Sequence, residues 1–273
     1  MKTPGPTVQW IVQQNLTNLN DLEGLRTACA NIQVPCIGVD IIPFSKQLPD
    51  FPVTPCNIYY GSITFNNLVY ENPATKSGLF FDPVAFSMKN YIAQWGRYML
   101  NFEASLTTFP ELLQQTFEND KLLFIRPDND DKSFAGEVKM YGEIAEWYQK
   151  LLAIQDANLT ASTSIVVSEP YNIKYEWRLW IVSGHVIAAS KYREYFKLSK
   201  ERGCPKEVIE FAEARCDEYT PHDVFVMDIC LCGDEYYIVE CGCMNGAGFY
   251  SADINSIVTH VTDYFQQACS TLS

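Results

Sequence analysis

Two acidic residues lie inside apolar segments in the last quarter of the chain. Asp228 belongs to the segment 224–232 and Glu240 to the segment 236–241, and both segments alternate as β-strands do. If residues 233–235 form a three-residue turn, Asp228 lies directly opposite Glu240 on the neighbouring strand. The spacing therefore predicts two carboxylates on one face of a hairpin.

Carboxylates directly opposed on a β-ladder repel each other, so a cation is expected between them. Magnesium prefers carboxylate oxygens and is the simplest candidate. The alternative is that both side chains point into water from an exposed face. Two C-x-C pairs, Cys230/Cys232 and Cys241/Cys243, raise zinc as another candidate. Zinc sites usually space their cysteines by two to four residues, so zinc is disfavoured.

Cations that could hold an anionic ligand precede these acids. Arg126 ends an apolar strand at 122–127, and Lys132 lies in the polar loop 128–133. Arginine can bind a phosphate through two parallel hydrogen bonds and lysine as a point charge, so this pair is suited to phosphates. The alternative is an arginine paired with an acid at a strand end, followed by an ordinary surface loop.

A hairpin over 175–182 and 185–192 carries further charges. Alternation puts Glu176 and Arg178 on one face of the first strand, and Lys191 lies on the returning strand. Glu176 and Arg178 could simply pair with each other, but that leaves Lys191 unexplained.

The remaining segments supply the scaffold. Strand 8–16, a helix over 22–32 with Asp21 as its N-cap, and strand 34–42 predict a parallel α/β layer. Further along, we expect a strand-rich region at 57–69, a helical connector at 81–99, a helix at 141–152, a buried strand at 164–168, a charged helix within 194–215 and a closing helix at 253–269.

Composition narrows the class of protein. The 273 residues are 47% hydrophobic and 19% charged, with no apolar run near the ~20 residues that a membrane span needs. The net charge of −13 argues against non-specific binding to nucleic acid. Fourteen of the twenty basic residues lie between Lys121 and Arg215, and none follows, where nine acids lie. This distribution suits a ligand that combines a polyanion with a metal ion.

The N-terminal residues lack the apolar segment of a signal peptide. The ten cysteines are therefore expected to be reduced thiols in a cytoplasmic protein. Neither a G-x-G-x-x-G turn nor a P-loop motif occurs in the sequence. A nucleotide would have to bind by another route.

An ordered set of segments resembles the ATP-grasp fold. In chain order they are the Arg126 strand, the Lys132 loop, the segment SIVVSEP, the segment YEWRLWIVSGHVIAASKY and the Asp228 and Glu240 strands. They are most similar to its divergent clade named for two arginines and a lysine, which includes a eukaryotic assembly protein for a translation initiation factor. The resemblance covers about residues 121–250. The opening strand–helix–strand unit is similar to the pre-ATP-grasp domain of such enzymes.

The resemblance implies an α+β fold with an N-terminal α/β domain and ATP held between two subdomains. The expected division is a pre-ATP-grasp domain and connector at 1–118, a small lid subdomain at 119–168 and a large subdomain with the metal site at 169–273. The resemblance also implies roles for individual residues. For the phosphates, it implies that Arg126 binds the α- and β-phosphates, Lys132 covers them and Arg178 binds the γ-phosphate or acyl phosphate. It further implies that Ser168 and Glu169 read the adenine edge at a hinge, that Glu176 and Lys191 make further nucleotide contacts, and that Asp228 and Glu240 bind magnesium.

One departure from the family pattern concerns the metal site. The family usually shows Glu-x-Asn, whereas Glu240 and Cys241 are followed by Gly242. Asn245, three residues further on, could supply the missing oxygen. If it does not, one metal-binding position is weakened.

The resemblance implies a Mg-ATP-dependent carboxylate–amine ligase that forms an acyl phosphate, with Arg178 and Lys132 acting on the transferred phosphate. The carboxylate and amine substrates are unknown, and a peptide or protein could be one of them. The alternative is a non-catalytic ATP-binding assembly factor or chaperone for a protein partner. Nucleic-acid ligation is the least favoured, because the C-terminal region is acidic.

Overall fold

The computed structural model describes residues 8–15, 17–42, 45, 47–129, 133–154 and 159–271. The N-terminal unit comprises strand β1 (Gln9–Gln13), helix α1 (Leu19–Asn31), strand β2 (Cys36–Val39) and strand β3 (Asn57–Tyr60). The three strands pair in parallel in the order β2-β1-β3. The predicted parallel α/β opening is therefore confirmed.

Two local predictions in this unit are wrong. Helix α1 begins at Leu19 and is capped by Asn18, whose side chain accepts a hydrogen bond from the Asn20 N–H at 2.9 Å. Asp21 therefore lies in the first helical turn and is not the cap. Residues beyond Tyr60 form helix α2 (Ile63–Glu71) and not a strand, because the Ser62 hydroxyl caps the Phe65 N–H.

The predicted connector contains helix α3 (Met88–Trp95), after which a second sheet begins. Its elements are strand β4 (Ser105–Thr107), helix α4 (Phe109–Leu112), strand β5 (Leu122–Pro127), strand β6 (Glu137–Met140), helix α5 (Ile144–Leu152) and strand β7 (Ile165–Ser168). The strands are antiparallel in the order β4-β7-β5-β6, here called the small sheet. Helices α4 and α5 cover it with a separate apolar core. Residues 105–112 thus contribute to the small sheet, although they precede the predicted boundary at 118.

The third sheet, here called the large sheet, is antiparallel with five strands. Its elements are strands β8 (Ile173–Val182), β9 (His185–Glu194) and β10 (Lys197–Arg202), helix α6 (Lys206–Cys216), strands β11 (Val224–Cys232) and β12 (Glu235–Gly242) and helix α7 (Ile254–Thr271). The strand order is β10-β9-β8-β11-β12. The charged helix expected within 194–215 is in fact strand β10 followed by α6.

One apolar core joins the N-terminal unit to the large sheet. Helix α7 packs on α1, and the indole N–H of Trp10 donates to the Thr262 hydroxyl at 3.0 Å. Behind them, Trp180 of β8 stacks on Phe249 at 6.1 Å between ring centroids. The beginning and the end of the chain are therefore parts of one packed body.

Cys56 and Cys269 form a disulfide at the edge of this core, with their Cα atoms 6.0 Å apart. The expectation of ten reduced thiols is wrong for this pair, and the other eight cysteines remain thiols. Among the described residues, no helix is both long and apolar enough to cross a membrane.

Candidate functional site

A row of charged residues crosses the large sheet at right angles to its strands. Arg178 of β8 pairs in register with Asp228 of β11, which pairs with Glu240 of β12. The predicted opposition of the two carboxylates is therefore confirmed. Its predicted turn is wrong, because Cys232 pairs with Glu235 across a two-residue turn. A β-bulge at Val239 shifts the register back by one residue.

Arg178 and Asp228 form a bidentate ion pair. The Nε and Nη2 atoms of Arg178 lie 2.8 Å from the Oδ1 and Oδ2 atoms of Asp228, respectively. Burial raises the pKa of the Asp228 carboxyl, and the adjacent Arg178 guanidinium opposes that rise. Arg178 therefore stabilises the negative charge of the Asp228 carboxylate, which is buried away from water.

Glu240 has its own arginine, which comes from the other sheet. Arg126 of β5 donates a hydrogen bond from Nη2 to Oε2 of Glu240. The sequence left open whether Arg126 pairs with an acid, and it does. Because its partner belongs to the large sheet, this ion pair bridges the cleft between the two sheets.

A third pair lies beside the first two. Nη1 of Arg193 is 3.0 Å from Oε1 of Glu176, and the Tyr192 hydroxyl donates to Oε2 of Glu176 at 2.7 Å. The same hydroxyl is 3.3 Å from Oδ2 of Asp228. Burial raises the pKa values of both Glu176 and Tyr192. Glu176 and Arg178 therefore pair with different residues and not with each other.

These groups line a cavity of about 340 Å³ between the sheets. Its charged lining consists of Arg126, Arg178, Arg193, Glu176, Asp228 and Glu240. Three arginines match three carboxylates, so the formal charges of these six groups cancel. Arginine can bind phosphate oxygens and carboxylates can bind a hard divalent cation, so the cavity offers donors for both halves of a metal–phosphate ligand.

A second cavity of about 270 Å³ adjoins the first. The two share Phe124, Gly136, Glu176, Arg193 and Val239. The rest of the second lining is mostly apolar or aromatic, formed by Leu100, Asn101, Val138, Pro170, Tyr171, Ile173, Tyr195 and Phe196. The cleft is thus apolar at one end and charged at the other.

Four predicted site residues that the structure describes lie outside these two cavities. Ser168 donates to the Asn101 side chain at 3.1 Å, and Glu169 forms an ion pair with Lys121. The residues after β7 that border the apolar cavity are instead Pro170 and Tyr171. Lys132 lies outside the described residues.

Lys191 is the third. It pairs in register with Trp177, the neighbour of Arg178, so its side chain is on the opposite face of the sheet. Its ammonium group is 2.6 Å from Glu201 and 3.3 Å from Glu194. The structure therefore does not bring Lys191 to the charged cavity.

Asn245 is fully buried away from the charged cavity. Its Nδ2 donates to the carbonyl oxygens of Tyr59 at 2.6 Å and Gly78 at 2.9 Å, and its Oδ1 accepts the Phe80 N–H at 2.8 Å. These bonds use both amide hydrogens and tie the loop after β12 to the N-terminal unit. The Cys243 thiol is a second donor to the same oxygen, at 3.3 Å. The expectation that Asn245 supplies an oxygen to a metal is corrected, because Asn245 does not line the charged cavity and its oxygen already accepts two hydrogen bonds.

The sequence pattern did not indicate three further residues that line the charged cavity, namely Tyr192, Arg193 and Tyr250. A β-bulge at Tyr192 places Arg193 opposite Glu176, and alternation alone does not predict such a bulge. Tyr250 stacks on Tyr192 at 4.9 Å, and the Arg178 guanidinium is 5.3 Å from the Tyr250 ring centre. Tyr192 on strand β9 and Tyr250 on the glycine-punctuated loop after β12 gave no signal that distinguished them from packing residues.

Residues 82–261 match the family described as ATP-grasp domain, R2K clade family 3. This chain belongs to that family. The matched segment contains both sheets of the cleft. The residues that line the two cavities of this ATP-grasp chain therefore all lie within the segment that the family model matches. No curated protein matches it significantly.

Solved structures confirm the fold of this ATP-grasp chain. The D-cycloserine synthetase DcsG matches with a TM-score of 0.58 and 12% identity, over 97% of this chain and all of that one. The ATP-grasp ligase PsnB, solved with a precursor variant, Mg and ADP, matches with a TM-score of 0.55 and 12% identity, over 95% of this chain and 99% of that one. The D-alanine–D-alanine ligase of Bacillus anthracis matches with a TM-score of 0.57 and 9% identity, over 98% of this chain and 100% of that one.

Among the described residues, no group of three or more His, Cys, Asp or Glu side chains has metal-binding geometry. The structure therefore does not support the zinc alternative for the C-x-C pairs. Magnesium differs, because it is commonly held by one or two carboxylates together with substrate phosphates.

Asn245→Ala should lower the free energy of unfolding by at least about 3 kcal/mol, because three buried backbone groups lose their partner. Urea denaturation measures this loss. The matched control is Asn255→Ala, which removes an exposed hydrogen bond to Asn31 and should cost less than about 0.5 kcal/mol. Stability close to wild type in Asn245→Ala would contradict the structural role.

Glu176 should make stability depend on pH. Because burial raises its pKa above 4.5 in the folded chain, the stability linked to its protonation is complete below that value and is lost as pH rises through the raised pKa. Glu176→Gln mimics the protonated form, so the melting temperature of the variant should improve relative to wild type as pH rises above about 4.5 and Glu176 ionises. Exposed Glu207→Gln is the control. A difference that is constant with pH would exclude this linkage.

Proposed function

We propose that this chain binds Mg-ATP between its two sheets and uses it to join a carboxylate to an amine. The observation that carries the proposal is the pair of arginine–carboxylate contacts, Arg126–Glu240 and Arg178–Asp228, at the charged end of a cleft whose other end is apolar. A nucleoside triphosphate has the same polarity, with an apolar base at one end and phosphates at the other.

The apolar cavity suits the adenine ring. Phe124 and Val239 come from opposite sheets and border both cavities, so they could contact the two faces of a flat ring. Backbone groups next to Pro170 and Tyr171 are available to read the edge of the base. The two cavities measure about 340 and 270 Å³, close to the lower end of the roughly 300–1,000 Å³ that is usual for small-molecule sites.

Glu176 suits the ribose. It borders both cavities and therefore lies where the sugar must connect the base to the phosphates. Its carboxylate can accept hydrogen bonds from ribose hydroxyls. Arg193 and Tyr192 bind the same carboxylate and would fix its orientation. We assign Glu176 and Arg193 to nucleotide binding.

Arg126 and Arg178 suit the phosphates. They belong to different sheets and both line the charged cavity. On binding, phosphate oxygens would take over guanidinium hydrogen bonds that Glu240 and Asp228 now accept. Lys132, which follows β5 in the sequence, would add a third cation over the phosphates.

Asp228 and Glu240 fit a magnesium ion. Their paired positions on neighbouring strands place both side chains on one side of the sheet. Each carboxylate would lose part of its arginine contact if phosphates bound the arginines. Magnesium, when bound, neutralises phosphate charge and polarises the transferred phosphoryl group. With Gly242 in the third position of the motif and Asn245 used elsewhere, these two carboxylates are the ligands that we assign.

The reaction would take place in two steps. A substrate carboxylate oxygen attacks the γ-phosphorus and the bond to the β-phosphate oxygen breaks, which gives an acyl phosphate and ADP. An amine then attacks the acyl carbon, its proton leaves and inorganic phosphate departs, which gives an amide. Arg178 would hold the transferred phosphoryl group in both steps by neutralising charge on its oxygens.

Known structures of the same fold support the ligase assignment. DcsG is a synthetase, PsnB is a ligase solved with a precursor, and the Bacillus anthracis protein joins two D-alanines by name. A peptide is therefore one acceptor class that we propose to test. The second candidate function is a nucleotide-binding assembly factor. Gly242 favours this second function, because glycine at that position removes the usual third metal ligand.

Binding is tested first by thermal shift and calorimetry. Saturating ATP with Mg²⁺, at about a hundredfold excess over its dissociation constant, should stabilise the chain by about 2.7 kcal/mol. Asp228→Asn should weaken Mg-ATP binding about tenfold or more, because a charged metal ligand is lost. With chelator, the same variant should bind ATP at least as tightly as wild type, because Arg178 is released from its carboxylate.

The control for this experiment is Asp263→Asn, an exposed carboxylate on α7, which should change neither affinity. Equal weakening of Asp228→Asn with and without Mg²⁺ would mean that Asp228 is structural. No stabilisation of wild type by ATP under any condition would refute the nucleotide site.

Catalysis is tested separately from binding. A ligase should form ADP over many turnovers only when both a carboxylate and an amine are present, because the carboxylate alone stops at the acyl phosphate. Arg178→Lys should lower that turnover rate more than it lowers ATP affinity, because lysine cannot form the same two-pronged contact. Mass spectrometry of reactions with peptide substrates identifies the amide. ATP binding without ADP release for any substrate pair would favour the assembly factor.

A further inference from the structure

The turn between β9 and β10 contains two aromatic residues. Glu194 pairs with Lys197, so Tyr195 and Phe196 are the two central residues of the hairpin turn. Tyr195 has a φ of 50°, in the left-handed region. Aromatic residues are disfavoured at such a position, where glycine, asparagine and aspartate are usual.

Two other tight turns of the large sheet follow the usual preference. The β8–β9 turn contains Ser183 with a φ of 51° and Gly184 with a φ of 81°, and the β11–β12 turn contains Gly233 with a φ of 62°. The β9–β10 turn therefore places a bulky aromatic residue in the left-handed region, where the other two turns place serine or glycine. Strained backbone of this kind is often found at functional sites.

Folding alone gives no reason for the aromatic pair. Phe196 is 87% exposed and Tyr195 is 47% exposed, so neither contributes much to a core. Both nevertheless border the apolar cavity. The Tyr195 N–H donates to the Lys174 carbonyl at 2.8 Å, which holds the turn against the start of β8, close to Pro170 and Tyr171.

We infer that Phe196 is a base-stacking residue that covers the purine ring of the bound nucleotide. The inference rests on the proposed function, because it takes the nucleotide as the occupant of the apolar cavity. That cavity continues into the charged one through five shared lining residues, so a ligand whose phosphates reach Arg126 can place its base beside Phe196. Bases stack well on aromatic side chains, since every base has an accessible π-face.

The consequence is that Phe196 recognises the base and not the phosphates. Its contribution belongs to nucleotide binding, and it does not act on the transferred phosphoryl group. A competing use of the same ring is an apolar contact with a protein partner, in which case nucleotide affinity would not depend on it.

The experiment compares two ligands, ADP and inorganic tripolyphosphate, each with Mg²⁺, by calorimetry on the full chain. Phe196→Ala should weaken ADP binding about tenfold and leave tripolyphosphate affinity within about twofold of wild type, because only ADP has a base. Phe196→Trp should restore ADP binding. The matched control is Leu198→Ala, on the same hairpin and 68% exposed but bordering neither cavity, which should change neither ligand.

The outcomes separate this inference from the proposed function. If wild type binds ADP and Phe196→Ala binds it equally well, base stacking is overturned and the nucleotide site stands. An equal loss for ADP and tripolyphosphate also overturns base stacking, because Phe196 would then act on the shape of the site. If wild type binds neither ligand, both proposals fail. The melting temperature of ligand-free Phe196→Ala should match wild type and so confirm that the variant folds.

Discussion

The central constraint on this structure is the placement of two carboxylates side by side on a buried sheet. Asp228 and Glu240 are register partners, and repulsion between them would destabilise the hairpin that carries them. The chain compensates with one guanidinium from each side. Arg178 comes from the neighbouring strand and Arg126 from the other sheet. Electrostatics within the site therefore also helps to hold the two sheets together across the cleft.

This arrangement connects ligand chemistry to the architecture. In the described structure, each arginine that would bind phosphate is bound to a carboxylate that would bind metal. A ligand that brings both phosphates and a metal ion would balance the charges of all four groups at once, whereas either part alone would disturb the balance between the arginines and the carboxylates. Burial makes such an imbalance costly, since an unpaired charge inside a protein is much less stable than one in water. We therefore expect the cavity to favour a complete metal–nucleotide complex over either part alone.

Much of the fold could be predicted from local pattern, and the failures have identifiable causes. Alternation located β8, β9, β11 and β12, and the opposition of Asp228 and Glu240 followed from it. The prediction assumed a three-residue turn and a regular ladder, and both assumptions were wrong. It was nevertheless correct, because the shorter turn and the bulge at Val239 shift the register in opposite directions. The bulge at Tyr192 had no such compensation, and Arg193 was missed. Asn245 was misassigned because its three partners are distant in sequence, and Lys191 because a register shift set its side chain on the opposite face.

The shared core of the N-terminal unit and helix α7 has a consequence for how the chain can be divided. The family signature covers residues 82–261, but the indole of Trp10 is buried against α7, and the last turns of that helix lie beyond the signature. Excising the signature segment would expose one side of the large sheet and remove the groups that Asn245 binds in the N-terminal unit. The smallest autonomous folding unit is therefore larger than the segment by which the family is recognised, and the nucleotide cleft depends on residues that never approach it.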